Sequence, residues 1–312
     1  MRTAFFRALM DLAEADERIT LVVGDLGFGA VEPFARRFPD RFVNAGVAEQ
    51  NMTGLAMGMA LSGRVVFTYS IANFPTLRCL EQIRNDICYH RADVKIVAVG
   101  GGLAYGSLGM THHATEDLAI MRALPELLVV APGDPVEVEQ VTRGIAVHAG
   151  PCYMRLGRAG EPLVHEPSIA LKLGRAIRLR EGRDVTLIST GGMLDTTVRV
   201  GRRLARDGID ARVVSMHTIK PLDETEVLAA ARETGAIATL EEHSVMGGLG
   251  SAVAEVLAEA GPGLARLVRL GLPTEFVRTV GNQEYLLGNF GLSEDGVLES
   301  IRRFVRARGA SG

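Results

Sequence analysis

Phe42-Val43-Asn44-Ala45-Gly46-Val47-Ala48-Glu49-Gln50-Asn51-Met52-Thr53-Gly54 is the stretch on which the reading of this chain turns. Its first residues are apolar enough to form a short buried strand. From Ala48 small residues and methionines continue in a helical pattern to about Ala60, so Glu49 falls where a strand end becomes a first helical turn. An acid there complements the positive end of the helix dipole, worth about 0.3–1 kcal/mol. The run from Met52 to Ala60 has no polar face, which predicts a buried helix with a partly desolvated carboxylate at its mouth. Glycines at 46, 54 and 58 allow another backbone or a flat ligand to come close. On spacing alone a dipole-complementing acid and a functional glutamate are equally good readings.

Outward from this stretch the pattern is an alternation. Strand-like runs at 19–23, 63–69, 94–99, 128–131 and 153–156 are separated by helical patterns at 3–15, 48–60, 74–90, 115–124 and 135–148. The alternation restarts with strands 185–189, 211–215, 236–241 and 265–271 and helices 195–207, 223–234, 251–260 and 293–308. Such order predicts the α/β class: two domains, each a mainly parallel sheet covered by helices. The expected division is a first domain over 1–158, a linker with at most one hairpin over 159–183, and a smaller second domain over 184–312.

A length of 312 residues fits two domains, and a net charge of −3 argues against a nucleic-acid partner held through phosphates. Cys79, Cys88 and Cys152 have no metal-ligand spacing and are odd in number, which points to reduced thiols and a cytoplasmic location. Residues 1–6 lead into an amphipathic helix rather than a signal pattern, and no window approaches 18 apolar residues, so no membrane partner is expected.

Several residues could carry chemistry. The glycines at 24, 27 and 29 follow a strand but lack the dinucleotide spacing, and Pro33 ends the run. Thr111-His112-His113 follows a glycine-rich loop. Adjacent histidines rarely share a metal, which leaves imidazoles satisfied at a helix start or one working near neutral pH. Phe74 is either core or a stacking platform. Arg78, Arg155 and Arg158 could each grip an anion with two donors or simply solubilise the surface. Glu241-Glu242-His243 reads as structural or interfacial.

These pieces resemble, in order and over nearly the whole chain, the transketolase family of thiamine-diphosphate enzymes. Residues 42–54 are similar to the glutamate motif of its pyrimidine-binding domain, which implies that Glu49 is catalytic and hydrogen-bonds the N1′ ring nitrogen of the cofactor. Phe74 resembles the aromatic residue that stacks on that ring. His112 resembles the family's substrate-contacting, catalytic histidine, and Arg158 its substrate-anchoring arginine; Arg78 joins them as a substrate-side candidate. Ser215 to Leu222 and Glu242-His243-Ser244 resemble the C-terminal domain.

The resemblance starts at the pyrimidine domain, and no Gly-Asp-Gly triplet occurs. It therefore implies the C-terminal section of a split transketolase. A separate N-terminal subunit would supply the diphosphate side and the Mg2+ ligands, in an α2β2 assembly acting on a small sugar. Where the family carries an acidic pair this chain has Ser107-Leu108, a family histidine is replaced by Gly100, and a family serine falls near Gly29. A phosphorylated sugar thus rests mainly on Arg158. Other readings are the β-subunit of a 2-oxo-acid dehydrogenase's decarboxylating component, a deoxyxylulose-phosphate-synthase-like enzyme, and a non-catalytic scaffold. Thr111-His112 with Glu116-Asp117-Leu118 favours the transketolase side, and a scaffold would not need Glu49, Phe74 and His112 together.

Overall fold

Twelve strands form two sheets in a computed structural model that describes residues 1–307. Residues 308–312, the end of the expected second domain and of its last helix, lie outside the described residues. The strands are β1 (Ile19–Val23), β2 (Phe42–Asn44), β3 (Val65–Ile71), β4 (Val94–Val99), β5 (Leu128–Val130), β6 (Cys152–Leu156) and β7 (Ile177–Arg180). They continue with β8 (Val185–Ser189), β9 (Ala211–Ser215), β10 (Thr218–Lys220), β11 (Ala236–Ser244) and β12 (Arg266–Leu272). The first sheet runs β10-β5-β6-β4-β3-β1-β2 and the second β12-β11-β8-β9-β7. All pairings are parallel except β10 on β5 and β7 on β9.

Every residue of β1, β4, β5 and β6 is buried, as unbroken apolar runs must be when helices cover both faces. On one face Phe5 and Leu9 of helix Arg2–Ala15 and Val138 of helix Pro135–Val147 pack on Leu21, Phe67 and Val97. On the other face Met52 and Ala56 pack with Ile83, Ile87, Leu118 and Met121, and this cluster continues into Ile188, Val214 and Val253 of the second half. One apolar cluster therefore runs through both halves.

Two short strands depart from the sequence reading. Residues 177–180, inside the stretch expected as a linker, pair with β9, and residues 218–220 cross over to complete the edge of the first sheet. Three or four residues pairing antiparallel with a distant strand leave no periodic trace. The helix expected over 74–90 begins only at Leu80, and residues 83–88 are wound as a π-helix. Pro75 has no N–H for a helical ladder, and the Thr76 hydroxyl donates to Ala72 O at 2.7 Å, which holds residues 72–79 as turns. Helix Glu49–Leu61, expected to be buried all round, buries only one side. Gln50, Asn51, Gly54, Leu55, Gly58 and Leu61 are exposed.

His217 sits at the seam between the halves, where its carbonyl accepts from Ala131 N at 2.8 Å. Its ring is fully buried, with Nδ1 2.9 Å from Thr218 Oγ1 and no partner for Nε2 among the described residues. Burial pushes its pKa down to about 4. The unfolded chain, with an ordinary histidine pKa near 6.5, takes up the proton first, so stability falls as pH drops from about 6.5 towards 4. Urea unfolding between those pH values should show a loss of up to about 3 kcal/mol that His217→Gln removes.

Candidate active site

The functional candidates gather at the carboxyl ends of the first sheet's strands. From β1 the chain passes to β2 on one side and returns to β3 on the other, so a crevice opens where the order reverses. Asn44 clips the rim: its Oδ1 accepts from Asp25 N at 3.1 Å and Gly46 N at 2.9 Å, and its Nδ2 donates to Asp25 Oδ1 at 2.9 Å. Gly46, at φ +75°, turns the chain back, and helix Glu49–Leu61 starts over the strand ends. A Cβ on Gly24 would lie 3.5 Å from Glu49 Cγ and 3.5 Å from Ser70 Oγ, an ordinary contact distance, so the glutamate stem packs against the chain just past β1 and beside Ser70. Glu49 is 1% exposed, and the buried Ser70 hydroxyl beside it has no partner among the described residues.

Around this carboxylate stand three more candidates. Arg78 Nη1 donates to Glu49 Oε2 at 2.8 Å, and its guanidinium carbon is 4.9 Å from the centroid of the Phe74 ring. Phe74 in turn meets the His112 ring edge-on at 5.1 Å. The Thr111 hydroxyl lies 3.0 Å from His112 Nδ1, and Asn73 Nδ2 donates to Thr111 O at 3.0 Å, tying the two loops together. A cleft of about 380 Å³ opens alongside, walled by Phe74, Leu77, Arg78, Met110 and Phe276. Arg158 stands apart, exposed, with its guanidinium 5.4 Å from the Tyr105 ring. The neighbouring His113 is buried, Nε2 3.5 Å from Gly106 O, and burial holds its pKa below the ordinary value. The arrangement offers a buried acid and an aromatic face, and Arg78 engages both.

The loop bearing His112 is braced from the second half. Gly102 and Ala114 exchange backbone hydrogen bonds at 2.9 Å and close its base. Arg155, 4% exposed, donates from Nη2 to Ala114 O and to Glu242 O, both at 2.8 Å, and its Nε lies 3.0 Å from Asp117 Oδ2. Glu242 Oε1 accepts from Leu103 N at 2.7 Å, and Gln283 Nε2 donates to both Glu242 oxygens at 3.0 and 2.8 Å. Burial raises the Glu242 pKa, and the Arg155 charge pulls it back. Glu241 accepts from Leu249 N at 2.7 Å and Gly250 N at 2.8 Å, at the start of helix Leu249–Glu259. Asn73, Gln283 and Phe276 escaped the sequence reading because each acts on a residue far away along the chain. Arg155, read from the sequence as an anion grip or a solubilising charge, is neither: it is buried and its guanidinium is taken up by Ala114, Glu242 and Asp117.

Residues 1–160 match the family model described as transketolase, pyrimidine binding domain, and residues 174–297 that described as transketolase, C-terminal domain. An apulose-4-phosphate transketolase subunit from Phocaeicola vulgatus is 38% identical over 98% of this chain and 97% of its own length. A 6-deoxy-6-sulfo-D-fructose transketolase subunit of a Clostridium species is 37% identical over 99% and 95%. A solved structure described as a split gene transketolase, inactive beta4 tetramer, has a TM-score of 0.88 at 40% identity, covering 98% of this chain and 97% of that one.

Removing the brace should loosen the loop without unfolding the protein. Glu242→Ala strands Leu103 N and should lower the urea unfolding free energy by about 1–3 kcal/mol. Limited proteolysis should then cut within 103–113 faster than in the wild type.

Proposed function

Because the chain belongs to the transketolase family, with its pyrimidine-binding and C-terminal domains in one polypeptide, we propose that it is the C-terminal subunit of a split transketolase. In this reading it moves a two-carbon ketol unit from a ketose to an aldose and is active only with an N-terminal subunit. The observation that carries the proposal is Glu49, a carboxylate 1% exposed, set with Phe74 and His112 at the carboxyl ends of parallel strands.

The family depends on thiamine diphosphate, and the residues here fit its aminopyrimidine. Arg78's planar guanidinium already hydrogen-bonds Glu49 and lies over Phe74, which supports room for a flat hydrogen-bonding group. The cofactor, when bound, supplies the carbon nucleophile and electron sink for the transferred unit. Glu49 would hold a proton at the ring nitrogen, shielded from water by its burial, and so tune the ring's proton exchange. Phe74 would orient the ring by stacking. His112 would donate a hydrogen bond to the donor's oxygen as charge develops there. Arg158 and a displaced Arg78 would take the far, anionic end of the sugar, since arginine suits phosphate and sulfonate alike. Two relatives are named for sugars with such ends, one a phosphate and one a sulfo group.

Relatives matched along 97% and 95% of their own length are named as subunits, which supports placing the diphosphate and Mg2+ ligands on a partner subunit. The exposed side of helix Glu49–Leu61 and the turn before it support a docking surface beside the site: Leu61 is 66% and Val47, in the turn, 76% exposed, and Gly54 and Gly58 face open space. A related structure described as an inactive beta4 tetramer supports dependence on a partner, and we place both subunits in an α2β2 assembly. Among the described residues no helix is long and apolar enough to cross a membrane. Three free, buried cysteines support a reducing, cytoplasmic setting.

The test is co-purification with the partner, addition of thiamine diphosphate and Mg2+, and a screen of ketose donors, phosphorylated and not, against aldose acceptors. Glu49→Gln should keep the circular-dichroism spectrum while lowering kcat at least about 100-fold. Turnover near that of the wild type would remove the glutamate from the reaction, and pyruvate decarboxylation in place of ketol transfer would move the chain to a different branch.

A further inference from the structure

A carboxylate as enclosed as Glu49 is costly to leave without a partner, because burial strips its water and nothing replaces it. In this chain the partner is Arg78, 29 positions along, whose Nη1 donates to Glu49 Oε2 at 2.8 Å. The same guanidinium lies 4.9 Å from the Phe74 ring centroid. One flat cation thus makes both contacts that the site offers to a flat ring: a hydrogen bond to the acid and the face of the aromatic. We propose that Arg78 is an internal stand-in for the cofactor's pyrimidine, filling its seat in the cofactor-free chain and swinging out when the ring enters. The inference rests on the reading of Glu49 and Phe74 as that seat.

The two partners of the pair are anchored very differently, which decides which of them moves. Glu49 is 1% exposed, on the first turn of a 13-residue helix, and its backbone carbonyl accepts from Thr53 Oγ1 at 2.8 Å. Arg78 is 49% exposed and springs from the turns of residues 72–79, with water on one side of its stem. A rotation of its long side chain carries the charge into the adjoining cleft without moving backbone. Arg78 cannot stay where it is once a ring arrives, because it covers the aromatic face that the ring needs and engages one of the acid's two oxygens. While the seat is empty, the stand-in keeps the acid neutralised, holds the phenyl ring in place and preserves the space between them. It also lowers the apparent affinity for the cofactor by the fraction of time that it occupies the seat.

The experiment uses the full chain with its partner subunit and reads binding rather than turnover. Thiamine diphosphate is titrated by calorimetry, in Mg2+, into wild type, Arg78→Met and Arg78→Lys. Arg78→Met keeps the length of the stem but loses the charge and the fork, so it should bind roughly tenfold more tightly. Arg78→Lys keeps the charge without the plane and should fall between. In the chain alone, Arg78→Met should melt at a lower temperature than wild type, because Glu49 loses its cation. Circular dichroism of both variants confirms that they fold. A wild type that binds the cofactor beside an Arg78→Met that binds it no better overturns the stand-in and leaves the seat intact. Absence of binding by wild type and both variants overturns the seat, and the stand-in with it.

Discussion

A carboxylate almost wholly withdrawn from water needs a fixed, charged or hydrogen-bonding neighbour, and Glu49 imposes that demand on everything around it. The turn at Gly46 and the clip made by Asn44 place the acid over the ends of β1 and β3. The turns at 72–79 then bring Phe74 and Arg78 to it. Ala72 and Cys79 of those turns also fill the core beneath the site, so the segment is anchored while Arg78 reaches the carboxylate, where desolvation makes the interaction stronger than it would be at the surface.

The second half of the chain reaches this site indirectly. It supplies β10 to the first sheet, shares an apolar core through Ile188, Val214 and Val253, and anchors the base of the His112 loop through Glu242 and Gln283. Arg155 is the hinge pin of that arrangement. Its guanidinium touches the loop at Ala114, the second half at Glu242 and the first at Asp117, and a buried charge held so fully fixes geometry rather than adding much stability. The histidine's position is thereby set by residues more than a hundred places away in sequence.

Much of the architecture is legible in the order of residues alone. Strands such as Val94–Val99 are unbroken apolar runs, and runs of that kind between helical patterns have few stable solutions other than covered parallel sheets. Glu49, Phe74 and His112 are singled out by the family resemblance rather than by spacing alone, and in the fold they are linked through Arg78, which touches both the acid and the phenyl ring. What stays hidden is non-local. β7 and β10 are three or four residues long and defined only by what they pair with, while the bond from Leu103 N to Glu242 spans 139 positions. The helix expected over 74–90 fails for a local reason, the proline and threonine at its start. The burial expected for the whole of helix Glu49–Leu61 fails because its apolar composition serves two faces, of which only one packs within this chain.

The crossing of β10 onto β5 also bears on how the polypeptide tolerates being cut. With residues 218–220 removed, β5 becomes a terminal strand with a bare row of amides and carbonyls, an invitation to pair with a neighbouring molecule. A fragment ending after the first family match would therefore carry a sticky margin as well as the opened apolar surface once shared with Val214 and Val253. A laboratory truncation between the halves should yield inclusion bodies in place of a free-standing first domain.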